Sequence, residues 1–183
     1  MKARISIIIG LMLIALSQLF MSFGYEFLMA QRPIDYAHWF LLLGAILLFA
    51  LWFELPENGT KLIGLSIMTL GIAGIVGMCT IDFFLWAADG NGELKKGLFD
   101  IISNTPSIKY PFLIVGPSLF YTGICIATYG LFLKFKWQVL VVNVGALFIG
   151  LGHMIFHNRV IPVVGAVMLF VGLVSTLTNS HKK

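Results

Sequence analysis

Charge is what this sequence has least of. Asp, Glu, Lys and Arg together make up 11% of its 183 residues, against 59% hydrophobic residues. So sparse a charged complement excludes an ordinary soluble domain, in which roughly a quarter of the residues are charged. Cysteine is nearly missing as well. Cys79 and Cys125 each fall inside a long apolar stretch with no second Cys or His at ligand spacing. That excludes a disulfide framework and a zinc knuckle. The chain also lacks a Walker loop, a dinucleotide-binding fingerprint, a nucleophile elbow and a kinase signature, so nucleotide-driven chemistry by this chain alone is not expected.

What remains is apolar, with a mean hydropathy of +0.97. A bilayer core about 30 Å thick needs roughly 20 apolar residues at 1.5 Å rise per residue. Six runs meet or approach that length: 5–29, 36–55, 62–88, 111–133, 137–157 and 160–177. The expected fold is therefore an all-α polytopic membrane protein, a six-transmembrane-helix bundle forming a single domain over residues 1–183. Lys2 and Arg4 before the first run resemble the start of a signal peptide, but Ile5 to Met21 is longer than the usual apolar region of roughly 7 to 15 residues. A retained helix is expected.

The 12 Lys and Arg exceed the 8 acidic residues but are scattered in ones and twos between apolar runs. That placement orients helices in a bilayer and does not grip nucleic acid. Counting Lys and Arg on alternate sides gives seven on the side of Lys2, Lys61, Lys134 and the C-terminus, and five on the side of Arg32, Lys95 and Arg159. Both termini are expected in the cytoplasm. Trp39, Trp86 and Tyr110 fall near the expected outer boundary, Trp52 and Trp137 near the inner one, as aromatic belts would. Asn58-Gly59-Thr60 matches the glycosylation pattern, but its loop is on the expected inner side and carries no weight.

The longest connection contains an amphipathic segment over 93–103, in which Leu94, Leu98, Ile101 and Ile102 share one helical face. It reads as a short helix lying on the membrane surface and anchoring its loop. Sliding the chain by 101 positions pairs Gly44-Ala45 with Gly145-Ala146, Gly64 with Gly165 and Gly71 with Gly172. Two three-helix inverted repeats would produce such a pattern, as would a shared need for close packing. Gly71, Gly74 and Gly77, with Ala146 and Gly150, predict that the third and fifth helices are central.

An ionisable side chain inside a spanning segment costs roughly 2.5 to 3.5 kcal/mol at the bilayer centre, so it usually has a partner or a purpose. Asp82 is the clearest case, lying among Thr80, Ile81, Phe83 and Phe84 near the end of the third run. The fifth run ends His153-Met154-Ile155-Phe156-His157-Asn158-Arg159, which sets two imidazoles on one helix face, about 6 Å apart along the axis. Alternation of the helices brings Tyr25, Glu26, His38, Asp82, His153, His157 and Arg159 to one side, the expected extracytoplasmic one. The inner half, with Glu54, Glu57 and Lys61, reads as an ordinary solvated turn.

A membrane Asp followed by His-x-x-x-His, here Asp82, His153 and His157, is similar to the pattern of the intramembrane zinc hydrolases that include alkaline ceramidases and the hemolysin III and adiponectin-receptor relatives. The resemblance implies zinc on His153, His157 and His38, with Asp82 orienting a water. That superfamily has seven helices, and its earlier Ser and His motifs do not occur here, so the likeness is one of chemistry. The reading favoured by the residues is a non-enzymatic membrane protein that binds or translocates a small solute, ion or lipid through the polar site. The alternatives are the zinc-dependent hydrolase and a non-catalytic partner or immunity-type protein. A homo-oligomer is compatible with each.

Overall fold

The computed structural model describes the backbone of residues 2–154 and 158–180, and the side chains of residues 2–152 and 158–179. Every regular element among them is helical. Five helices are long and apolar enough to cross a membrane, as a multi-pass membrane protein requires: α1 (Lys2–Ser22), α3 (Tyr36–Glu54), α4 (Gly59–Ala87), α6 (Pro106–Tyr129) and α8, spanning Val160–Asn179 in that count and ending at Ser180. Between them lie α2 (Tyr25–Ala30), α5 (Gly92–Asn104) and α7 (Lys136–Met154), of which the apolar stretch Lys136–Gly152 is shorter than the five.

Each boundary has a local cause. The expected first run over 5–29 is broken at Gly24, whose φ of 98° is open to glycine but strained for other residues. There the guanidinium of Arg159 lies where a side chain on residue 24 would go. The fourth spanning helix begins at Pro106, earlier than its expected start at Pro111. Proline is tolerated in a first turn, where its missing N–H has no partner to lose. Pro111 is then accommodated because Lys109–Val115 widens into a π-helical turn, in which Gly116 N–H donates to Pro111 O. Asn58, Asn91 and Asn158 cap α4, α5 and α8 by accepting from the backbone N–H groups of Lys61, Leu94 and Val160.

Three antiparallel hairpins organise the packing: α1 with α3, α4 with α6, and α7 with α8. α3 also touches α4, α6 touches α7, and α8 returns against α1, so the helices close into a ring. The expectation that the third and fifth helices are central is thereby corrected: these helices stand in the wall like the others. Their glycines serve the hairpin seams. A Cβ on Gly44 would come 2.7 Å from Gly10 O, one on Gly64 2.7 Å from Gly123 O, and one on Gly145 2.6 Å from Gly165 O. Gly74 meets Gly116 backbone to backbone. In lipid, where helices gain little by hiding apolar side chains from one another, such approaches supply the packing that holds them together. The glycines matched in the possible repeat face non-corresponding partners, since Gly44 packs on the preceding helix and Gly145 on the following one.

At the end that carries the N-terminus, Arg4 Nε donates to Glu54 Oε2 at 2.8 Å, and Lys61, only 3% exposed, donates to Glu57 at 2.5 Å. The turn expected to be solvated keeps Glu57 exposed, while Glu54 is held by Arg4 of α1 and Lys61 is buried. Gly71→Val puts methyl groups into the backbone of Phe120. It should lower the melting temperature of the detergent-solubilised protein by roughly 5 °C or more, because overpacking costs about 1–3 kcal/mol. Gly97→Ala meets nothing within 4 Å and should leave the melting temperature unchanged or slightly raised.

Candidate functional site

The site begins at the N-terminus of α3. The first amide groups of a helix have no partners within it, and two side chains take them here. Asp35 Oδ1 accepts from His38 N at 3.2 Å, while Gln31 Oε1 accepts from Tyr36 N at 2.7 Å and Ala37 N at 3.3 Å. Capping holds Asp35 in place with only 1% of its surface exposed. Its second oxygen, Oδ2, lies 2.5 Å from His38 Nδ1. The imidazole then reaches across to α4, where His38 Nε2 stands 3.3 Å from Asp82 Oδ2. The ring of Phe83 meets His38 edge-on and stacks on Trp39 at 5.2 Å, which fixes the plane of the imidazole.

One histidine therefore joins two carboxyl groups. A neutral imidazole carries a single N–H and can donate to one of them only. The triad is filled either by an imidazolium between two carboxylates or by a neutral ring with one carboxyl protonated, and the proton can pass between those arrangements through existing contacts.

Two cavities meet at this triad. The inner one, about 570 Å³, lies within the helix ring and is lined by apolar side chains such as Met21, Leu41, Ile75 and Tyr121, with Gln18, Ser118 and Asn143 among its polar groups. The outer one, about 610 Å³, lies beneath α5 and is lined by Tyr25, Met29, Leu85, Lys95, Lys96 and Phe99. His38 and Asp82 line both. The two cavities adjoin at this pair.

α5 is tied down over the outer cavity by Lys95. Its ammonium group donates to Asp89 and to the Tyr25 hydroxyl, and lies 4.6 Å from the Tyr25 ring centroid. The hydrogen bond from Lys95 is the main reason that the Asp89 carboxyl is held below the usual carboxylate range. Partial burial pulls the Lys95 ammonium down, but the bonds to Asp89 and Tyr25 together outweigh it and leave Lys95 above the ordinary lysine value. Arg32 caps the same end, stacked 4.4 Å over the Trp86 ring.

Of the residues read as a polar site, His38 and Asp82 are in contact and Tyr25 lines the adjoining outer cavity. Glu26 is exposed and makes no ion pair among the described residues, and Arg159 is exposed beside Gly24. The backbone of His153 belongs to α7, but its side chain, and all of His157, lie outside the described residues. Among the described residues no group of three or more His, Cys, Asp and Glu is placed to hold a metal ion. Both nitrogens of His38 already face carboxylates, so as a zinc ligand it would have to abandon one of them.

Asp35 escapes a search for charges inside the apolar runs, because it lies in the short connection before α3. The signal that could have found it is Asp-x-x-His at a helix start, where a cap residue and the side chain three positions later share one face. Lys95 and Asp89 carried no comparable signal, since their pairing depends on how α5 folds back.

The sign of the Lys95 tether follows from the two shifts. Its stability is present above the ordinary carboxylate range and is lost as pH falls through the depressed value of Asp89. At the other extreme it is lost as pH rises through the raised value of Lys95. Hydrogen exchange of Gly92–Asn104 should show constant protection between about pH 5 and 9, once corrected for intrinsic exchange. Asp89→Asn should exchange faster in that segment at every pH in this window.

No protein family, no curated protein and no solved structure matches this chain, so its functional reading rests on the geometry of the site.

Proposed function

We propose that this protein crosses the membrane six times with both termini in the cytoplasm, and that it binds or passes a small solute, ion or lipid in the cavity within its helix ring. α7 completes the six, and α5 lies at the extracytoplasmic surface over the outer cavity. The observation that carries the reading is that His38 and Asp82 line the inner and the outer cavity alike. A ligand moving between the two passes this pair.

The inner cavity's volume falls in the range of about 300–1,000 Å³ typical of small-molecule sites, and its lining is apolar with a few polar groups, as such sites usually are. Ionisable groups within a spanning bundle are costly to keep, and they commonly pair with one another or mark a pathway. The pair is also simple to part. His38 stays anchored through Asp35, so separation of the 3.3 Å contact to Asp82 opens the way between the cavities without unfolding α3.

Native mass spectrometry of the gently solubilised protein tests the reading. A co-purified small molecule should appear as a discrete adduct. Thr122→Trp, which projects an indole from a cavity-lining position of α6, should abolish the adduct while leaving the melting temperature unchanged. Wild-type protein without any adduct, or an adduct indifferent to the tryptophan, would sink the proposal.

A further inference from the structure

The charge in and around the inner cavity does not balance. Asp35 and Asp82 share one imidazole, so with both carboxyl groups ionised even a protonated His38 leaves one negative charge over. The residues lining the inner cavity include no lysine and no arginine among those described. Of the basic groups on the outer side, Lys95 is paired with Asp89 and Tyr25 and Arg32 stacks on the Trp86 ring, while Lys96 lines the outer cavity and not the inner one.

Two of the neutral polar groups of the cavity spend donor protons on backbone carbonyls. Ser118 spends its hydroxyl proton on Ile114 O at 2.7 Å, and Asn143 donates through Nδ2 to Val139 O at 2.7 Å. Ser118 has oxygen lone pairs left for a ligand, and Asn143 has its Oδ1 and one N–H. An apolar cavity with a carboxylate in its lining and no basic side chain among the described lining residues disfavours anions and favours an apolar body that carries a positive charge over the same body without one.

We propose that the ligand of the inner cavity is a hydrophobic monocation, an amine protonated in water, whose ammonium group pairs with Asp82 while its apolar part lies among Leu41, Ile75 and Tyr121. This deepens the binding reading above and rests on it. Asp82 contributes the charge, and His38, held by Asp35, orients it. A proton on Asp82 and the cationic ligand are alternative ways of settling the same charge.

Three molecules with one skeleton and different heads test this: phenylbutylamine, phenylbutanol and phenylbutyrate, titrated calorimetrically into the full-length solubilised protein. Protection of Cys125, which lines the inner cavity, from a small alkylating reagent reports where they bind. The amine should bind at least about tenfold more tightly than the alcohol, a difference of about 1.4 kcal/mol, and the butyrate most weakly. Asp82→Asn should reduce the amine to the level of the alcohol, and Asp82→Glu, which keeps the charge, should retain the preference. Equal binding of amine and alcohol, or a preference that survives Asp82→Asn, overturns the cationic assignment but leaves cavity binding intact. If none of the three binds, the assignment also falls, and the broader reading is then decided by the co-purified adduct.

Discussion

Close backbone approach at the three hairpin crossings is the constraint on which the structure depends. Hydrocarbon removes the usual reward for burying apolar side chains, so helices in a membrane must find contact through shape. Gly10 against Gly44, Gly74 against Gly116 and Gly145 against Gly165 let neighbouring helices come within reach of each other's backbones. Contact of that kind is pairwise. Three tight hairpins joined by looser contacts form a ring, and a ring of six helices leaves room at its middle that six apolar stripes converging on one axis would fill. The cavity is thus a consequence of where the glycines are.

The triad depends on the same arrangement. α3 is placed by its glycine crossing with α1, and its first turn is fixed by Asp35 and Gln31. α4 carries Asp82 about 7.5 Å from its last residue at 1.5 Å per residue, level with that first turn. A side chain with two nitrogens joins them. Capping, ordinarily a device of helix stability, also determines which way the imidazole faces. The contact between His38 and Asp82 is therefore supported from one side by a helix N-terminus and bordered on the other by open space.

The apolar runs were legible because the bilayer imposes a length on them, and Asp82 stood out because a carboxyl among Ile81, Phe83 and Phe84 has no cheap explanation. The breaks were harder to read. Gly24 looks like one more small residue in an apolar stretch until its backbone conformation is known, and the widened turn at Lys109–Val115 that absorbs Pro111 leaves no periodic mark. The glycine spacing in the third and fifth runs announced close contact but not with whom, so centrality was the wrong inference from a correct observation. Counting helices sets His38 at the same end as Asp82, where the two meet. Its partners could not be read that way, because Asp35 and Asp82 approach it from opposite directions and that is a property of the assembled ring.

The central claim is that His38 and Asp82 together separate the outer cavity from the inner one. Cys125 lies on the inner side, and Cys79, the other cysteine, is fully buried. The most direct measurement is the rate at which a small water-soluble thiol reagent, added from the side of α5 to protein reconstituted in vesicles, modifies Cys125 in wild type and in Asp82→Ala. The account predicts slow modification in wild type and a severalfold increase when the pair loses its carboxylate. Equal rates in the two proteins would contradict it.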